Sequence, residues 1–254
     1  MKLIKSQVQK IESDRPFHLS TIHPTKGDRA PHTLAKNGHY HKKLIYSVKI
    51  RIDCIKEQIM IATREDYQKM TAEEYLEWEA KQEFRHEYID GEIFAMTGGS
   101  LPHNDIALNF YTALRPHVRQ RGCRVNVSDA KVQARKNSRY FYPDLVVSCD
   151  PDDLKARDFI QHPKVIVEVL SPGTANYDRT KKLKYYRQIP NLQEYVLVDS
   201  EEITVEVYRR GEGKMWLYYV YEAGEAIALA SLEFECAIDL VYEGVTFEQE
   251  LEAD

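Results

Sequence analysis

From residue 71 onward the chain alternates between helix-like and strand-like spacing of apolar positions, whereas the first forty-odd residues show no sustained period. Thr71-Ala-Glu-Glu is a capping-box pattern and predicts a helix through about residue 80, with Tyr75, Leu76 and Trp78 on its apolar face. The runs HEYI and EIFAMT flank Asp90-Gly91, a dipeptide suited to the positive φ values of a tight hairpin turn. Gly98-Gly99-Ser100 then breaks the strand and caps a helix expected over 102–121, with Ile106, Leu108, Tyr111, Leu114 and Val118 at near-helical spacing, Pro116 as a kink and Gly122 as its stop. Strands are expected at 124–127 with a continuation near 131–134, at 140–148 and at 164–170. The last two are Val- and Ile-rich and almost continuously apolar, as in central strands covered on both faces. A helix over 179–188 leads to another buried strand at 194–198, and the alternating, turn-rich stretch 204–245 predicts an antiparallel meander. No internal repeat is evident.

Length and composition refine this outline. A chain of 254 residues accommodates one domain plus an appendage. We expect residues 1–59 to be a poorly ordered N-terminal extension, with Met60 as an alternative native start, and 60–254 to be the folded domain. Residues 43–55 alternate enough to suggest an edge strand. The extension holds His18, His23, His32, His39 and His41, whose irregular spacing without partnering cysteines reads as composition bias rather than a metal tract. No apolar run approaches the ~18–20 residues of a membrane span, and Met1 is followed by lysines and polar residues without an apolar leader core. A cytoplasmic protein is expected. Cys54, Cys123, Cys149 and Cys236 have no CxxC or zinc-ligand spacing, so neither a disulfide nor a zinc site is expected.

The net charge of -5 hides an asymmetry. Residues 1–59 hold 12 Lys+Arg against 5 Asp+Glu, or +7, which leaves 23 against 35, or -12, for residues 60–254. An acidic body is a poor non-specific binder of nucleic acid. Two stretches run the other way: Arg115 to Arg139, with Asp129 as its sole acid, and Arg179, Lys181, Lys182, Lys184 and Arg187 with none.

The informative residues are charged groups set into apolar strands. Asp144 sits in Tyr-Pro-Asp-Leu-Val-Val and Glu168 in Val-Ile-Val-Glu-Val-Leu, where an ionised carboxylate facing the core costs several kcal/mol unless paired or metal-bound. On adjacent strands the two can converge and offer hard oxygen ligands suited to Mg²⁺ or Mn²⁺. A structural ion pair or an exposed strand end is the alternative. Asp178, Lys182 and Tyr186 follow at i, i+4 and i+8, one face of a helix that begins just past the Glu168 strand. Alone, Asp178 and Lys182 read as a surface ion pair.

Taken together, His86-Glu-Tyr-Ile-Asp-Gly-Glu92, His103 at the head of a helix, Pro143-Asp144, Val167-Glu168-Val-Leu-Ser-Pro, Asp178-x3-Lys182-x3-Tyr186 and Glu194-Tyr-Val-Leu-Val-Asp199 resemble the Uma family of restriction-endonuclease-type proteins, within the PD-(D/E)XK nuclease superfamily. The resemblance covers about residues 70–245. It implies an α/β fold of restriction-endonuclease type, in which helices flank a central mixed β-sheet. It also implies Mg²⁺ or Mn²⁺ at Asp144 and Glu168, and cleavage of nucleic-acid phosphodiesters, with DNA as the favoured substrate. The superfamily's lysine two residues after the acid is Leu170 here, so the role passes to Lys182, with Lys181 and Lys184 as alternatives. Glu92, or else Glu87, is a candidate for a further metal-organising carboxylate. His103 is a candidate for phosphate or metal-shell contact, or for capping. The Tyr-rich segment with Tyr208, Tyr218, Tyr219 and Tyr221 fits a homodimer interface. Two other readings stay open: an inactive nuclease-fold module that binds nucleic acid or a protein, and a hydrolase of small phosphoesters.

Overall fold

The structure, a computed structural model, describes residues 69–247 apart from Thr97. The expected extension at 1–59, its strand at 43–55, the five histidines and the Met60 start lie outside the described residues. The first helix, α1 (Ala72–Glu79), starts at the capping box: Glu74 N–H donates to Thr71 Oγ1, and Thr71 N–H donates back to the Glu74 carboxylate. The hairpin β1 (His86–Ile89) and β2 (Glu92–Ala95) turns through Asp90 and Gly91, at φ 51° and 102°. Next, α2 (Leu101–Gln120) is capped by Ser100 and carries Pro116 inside it. Its buried Ile106, Phe110, Leu114 and Val118 recur every four residues and form one stripe.

Two of the expected strands are in fact four. The stretch 124–134 divides into β3 (Arg124–Val127) and β4 (Val132–Arg135), and 140–148 into β5 (Arg139–Phe141) and β6 (Leu145–Ser148). Ser128 and Asp129, at φ 46° and 40°, end β3, while Pro143 lacks the N–H needed to continue a ladder between β5 and β6. Both breaks transfer the chain from one sheet to another. A four-stranded sheet runs β2-β1-β5-β4, and a six-stranded sheet runs β10-β9-β8-β7-β6-β3. The remaining strands are β7 (Val165–Leu170), β8 (Glu194–Asp199), β9 (Thr204–Arg210), β10 (Trp216–Glu222) and the hairpin β11 (Ala226–Leu229) and β12 (Phe234–Ala237). The pair β7–β8 is parallel and every other pair in the six-stranded sheet is antiparallel, so the sheet is mixed; of the meander expected over 204–245, β9 and β10 extend this sheet antiparallel and β11 and β12 form a separate two-stranded sheet.

A short helix, α3 (Pro151–Lys155), follows β6. The crossover from β7 to β8 is helical: α4 (Ala175–Tyr177), a π-helical turn at Asp178–Lys182, and α5 (Leu183–Tyr186). It begins earlier than the expected 179–188, and the π turn is a feature that periodicity alone does not reveal. Side chains alternate across the buried central strands. Val165, Val167, Val169, Val196 and Val198 pack with α2, and Ile166, Leu170, Tyr195 and Leu197 pack with Tyr186 and Ile189 beneath the crossover. Glu168 shares the face of Ile166 and Leu170. A third cluster stacks Tyr75 of α1 on Tyr88 and Tyr140, with the first two rings 4.8 Å apart.

One expectation is overturned. Cys123 and Cys149 form a disulfide. Arg124 pairs with Ser148 in the antiparallel β3–β6 ladder, so one further step puts the two cysteines opposite each other, a neighbourhood that spacing along the chain does not reveal. Among the described residues no helix is long and apolar enough to cross a membrane.

Candidate active site

Asp144 lies at the transfer point between the sheets, one residue before β6. Since Leu145 pairs with Val167, the same register sets Asp144 across from Glu168. Asp144 Oδ2 accepts a 2.7 Å hydrogen bond from the Val169 N–H and lies 3.3 Å from His103 Nε2. His103 occupies the first turn of α2, where its N–H bonds to the Ser100 cap. Gly99 leaves room for the imidazole: a Cβ there would stand 2.7 Å from His103 Nδ1.

Glu168 is buried, and its Oε1 accepts from Lys182 Nζ at 3.0 Å and from the Tyr186 hydroxyl at 2.9 Å. The ammonium also lies 3.0 Å from Glu87 Oε1 and 3.5 Å from Asp178 Oδ1. Three carboxylates thus converge on one buried lysine, with Asp144 beside them. Asp178, Lys182 and Tyr186 do share a face, and the π turn spans the first two. The pair that the spacing suggests as a surface ion pair is in fact buried, and Asp178 is 3% exposed.

The electrostatics follow from the count. Burial opposes the charge on Lys182, but Glu168, Glu87 and Asp178 more than compensate and hold the ammonium charged well past its ordinary range. One ammonium cannot neutralise the carboxylates around it. Burial therefore raises the Glu168 carboxyl well above its usual range despite Lys182, and the charges of Asp178, Asp144 and Glu87 add to the rise. Burial raises Asp178 as well. His103 is also raised: burial works against the imidazolium, and the hydrogen bond and charge of Asp144 outweigh it. The Tyr186 hydroxyl, buried and beside Glu168, stays protonated as a donor.

This surplus of negative charge suits a hard divalent cation. Asp178 Oδ1 is buried and faces the Lys182 ammonium at 3.5 Å without a formed hydrogen bond, and the bonds of Asp144 and Glu168 all fall on Oδ2 and Oε1, which leaves Asp144 Oδ1 and Glu168 Oε2 without one among the described residues. All are carboxylate oxygens, the donor type of Mg²⁺ or Mn²⁺ rather than of zinc. Among the described residues no group of three or more His, Cys, Asp and Glu is already arranged as a cage. The carboxylates point at Lys182, so a cation would draw on the oxygens turned away from it.

Of the residues singled out from sequence, Asp144, Glu168, Lys182 and His103 come together, and Glu92 does not. Cross-strand pairing sets Glu87 and Glu92 on one face of the hairpin, but β2 is an edge strand and Glu92 is exposed, whereas β1 is paired on both sides and Glu87 is buried. Glu87 is the hairpin carboxylate that reaches the cluster. Lys181 and Lys184 are exposed, away from it. Asp178 is the residue that sequence reasoning undervalued. Its signal was the i, i+4, i+8 series, which named the face but not its burial.

The Uma2 family model, described as "Putative restriction endonuclease", matches residues 72–240. Two uncharacterized proteins of Synechocystis sp. (strain ATCC 27184 / PCC 6803 / Kazusa) are similar. One is 39% identical over 181 residues, covering 71% of this chain and 95% of its own length, and the other is 34% identical over 150 residues, covering 58% and 85%. The fold is similar to that of a solved Anabaena variabilis ATCC 29413 protein described as a "putative nuclease belonging to DUF820", with a TM-score of 0.58, 21% identity, and coverage of 70% of this chain and 99% of that one.

Proposed function

Since this chain belongs to the Uma2 family, we propose that it is a divalent-cation-dependent endonuclease that hydrolyses phosphodiester bonds of DNA, with Asp144 and Glu168 as the metal-holding pair. The reading extends to a homodimer whose two sites serve the two strands. The observation that carries it is the convergence of Asp144, Glu168 and Asp178 on a site that has one ammonium, with Asp144 Oδ1 and Glu168 Oε2 left without a hydrogen bond among the described residues. When bound there, Mg²⁺ or Mn²⁺ polarises a phosphate and acidifies a coordinated water. The remaining work falls to the chain. Lys182 and Tyr186 hold Glu168 through Oε1 and leave Oε2 for the cation. The Lys182 ammonium, kept charged by its three carboxylates, offsets negative charge developing on the phosphate. The Val169 N–H and His103 fix Asp144, and His103, with its raised basicity, offers a proton or a hydrogen bond to a phosphate oxygen.

The test is incubation of the purified chain with supercoiled plasmid DNA and with RNA, in Mg²⁺, in Mn²⁺ and in EDTA. Nicking in the cations and none in EDTA is expected, and Asp144→Ala should abolish it. A chain that cuts neither polymer in either cation overturns the reading. A second reading has its own observation: Lys182 already compensates Glu168 without a metal. In that case the chain is an inactive module that binds nucleic acid or a protein, and a metal-free DNA complex unaffected by Glu168→Ala would favour it.

A further inference from the structure

On the side of α5 away from Lys182, the helix and the turn between β9 and β10 enclose a groove of about 350 Å³. Lys184, Arg187, Arg210 and Lys214 line it beside Trp216, and no carboxylate does. Among the described residues none of these four cations makes an ion pair, whereas Arg121, Arg139, Arg179 and Arg209 each sit on a carboxylate. Composition does not explain the contrast, because residues 60–254 carry 35 acids against 23 bases.

The groove holds its charge against repulsion. Arg210 Nε donates to the Leu192 carbonyl and its Nη2 to those of Arg187 and Ile189, which anchors the side chain at the end of the helix. Its guanidinium lies 4.6 Å from the Trp216 ring centroid, and that of Arg187 lies 5.7 Å from the same centroid. Burial, and then the like charge of Arg187, depress the basicity of Arg210. The Arg187 guanidinium beside the indole, flanked by exposed lysines and lacking any acid, matches a chain of phosphates, which it can bind through two parallel hydrogen bonds, while Arg210, with Nε and Nη2 spent on carbonyls, adds its charge.

The geometry points to this groove as the docking surface for the phosphodiester backbone of the DNA, an inference that rests on the nucleic-acid substrate proposed above. Lys182 turns into the buried cluster while Lys184 and Arg187 of the same crossover line the groove, so the groove stands beside the candidate site and not within it. The bound stretch is therefore the flank of the cut position, not the scissile phosphate itself. The groove supplies locally the positive surface that the acidic body withholds, and it selects a binding register without contacting base edges.

The test measures binding by fluorescence anisotropy of a labelled DNA duplex against the full chain in EDTA, over a salt series. Lys184→Gln/Arg187→Gln/Lys214→Gln should weaken binding at least tenfold and make the slope of log K against log salt less negative by about 2–3, near 0.9 per phosphate contact removed. The exposed control triple Arg115→Gln/Arg119→Gln/Lys136→Gln removes the same charge elsewhere and should leave the slope near that of the parent. Arg187→Gln alone should shift the slope by about 1, so the inference stays testable if the triple variant does not fold. An unchanged slope in the groove variants, equal shifts in both triples, or a parent that does not bind DNA overturns it. A parent that binds through the groove yet never cuts removes the nuclease reading and keeps the groove. A parent that cuts while the groove variants bind normally does the reverse.

Discussion

Two glutamates are buried on the neighbouring central strands, and they differ in how their charge is met. Glu194 opens β8, opposite Val165 in the parallel pair, and Glu168 stands three residues further along β7. Glu194 is wholly buried and wholly answered: Oε1 accepts from Arg209 Nε at 2.7 Å and the Ala230 N–H at 3.0 Å, and Oε2 accepts from the Ser231 N–H and hydroxyl. One charge meets one counter-charge, and the spare lone pairs are used. Glu168 has a lysine and a tyrosine on one oxygen, and it shares that lysine with Glu87 and Asp178. Burial of charge is common to both sites, so it does not mark function. Surplus charge and unused oxygens set Glu168 apart, because they have a cost that only a ligand or a proton removes.

Exchanging the roles of the two glutamates would break this comparison. Glu168→Gln should cost about 10²–10³-fold in plasmid cleavage, the scale of losing one charge-handling group in an active site, while the melting temperature without divalent cations stays level or rises. Glu194→Leu should do the opposite. It strands Arg209 and costs about 3 kcal/mol in urea unfolding, the lower end of the range for a broken buried pair because Arg209 keeps the Ala228 carbonyl and partial exposure. Cleavage per folded molecule should stay at the parental level. If Glu168→Gln unfolded the chain or Glu194→Leu silenced it, the distinction between a satisfied and an unsatisfied charge would carry no information here.

Much of the arrangement was legible in the sequence, for reasons that differ by element. The capping box, the Asp90-Gly91 turn and the apolar runs of β6 to β8 are local signals, and local chemistry decides them. Asp144 and Glu168 stood out because an acid in such a run demands an explanation. What depends on which strand lies beside which was not legible. The division of 124–134 and 140–148 between two sheets, the Cys123–Cys149 bridge across a ladder and the burial of Asp178 all arise from pairing across the chain. That Glu87 and not Glu92 reaches the cluster was hidden for the same reason: both lie on one hairpin face, and only the position of β5 decides which strand is interior.

Asp178 sharpens the comparison through pH. In cation-free buffer the raised carboxyls of Glu168 and Asp178 bind protons more tightly in the folded state than in the unfolded state. Their contribution to stability is fully present below the ordinary carboxylate range, about pH 4. It is lost as pH rises towards and through the raised values. Lys182 is charged in both states over this window and adds no slope of its own. Asp178→Asn removes one member of the surplus, so its stability relative to the parent should improve as the pH rises from 5 to 8. Thermal unfolding in EDTA at the two pH values measures it, and a difference that stays flat or shrinks would mean that the lysine already balances its carboxylates.

The smallest expected effect distinguishes the two hairpin carboxylates. Glu87 lies 3.0 Å from the Lys182 ammonium on an interior strand, and Glu92 is exposed on the edge. Glu87→Gln removes one of three counter-charges from Lys182 but keeps the side chain's shape. Cleavage should fall by about tenfold, the value of about 1.4 kcal/mol in a transition state, with the affinity for DNA unchanged. Glu92→Gln alters a solvated residue with no partner among the described residues, so stability should move by less than about 0.5 kcal/mol and cleavage not at all. Measured together, kcat and KM for the two variants decide whether the cluster ends at β1. Equal losses at Glu87 and Glu92 would extend the site to the edge of the sheet, and the division between interior and edge strands would then not govern which acids take part.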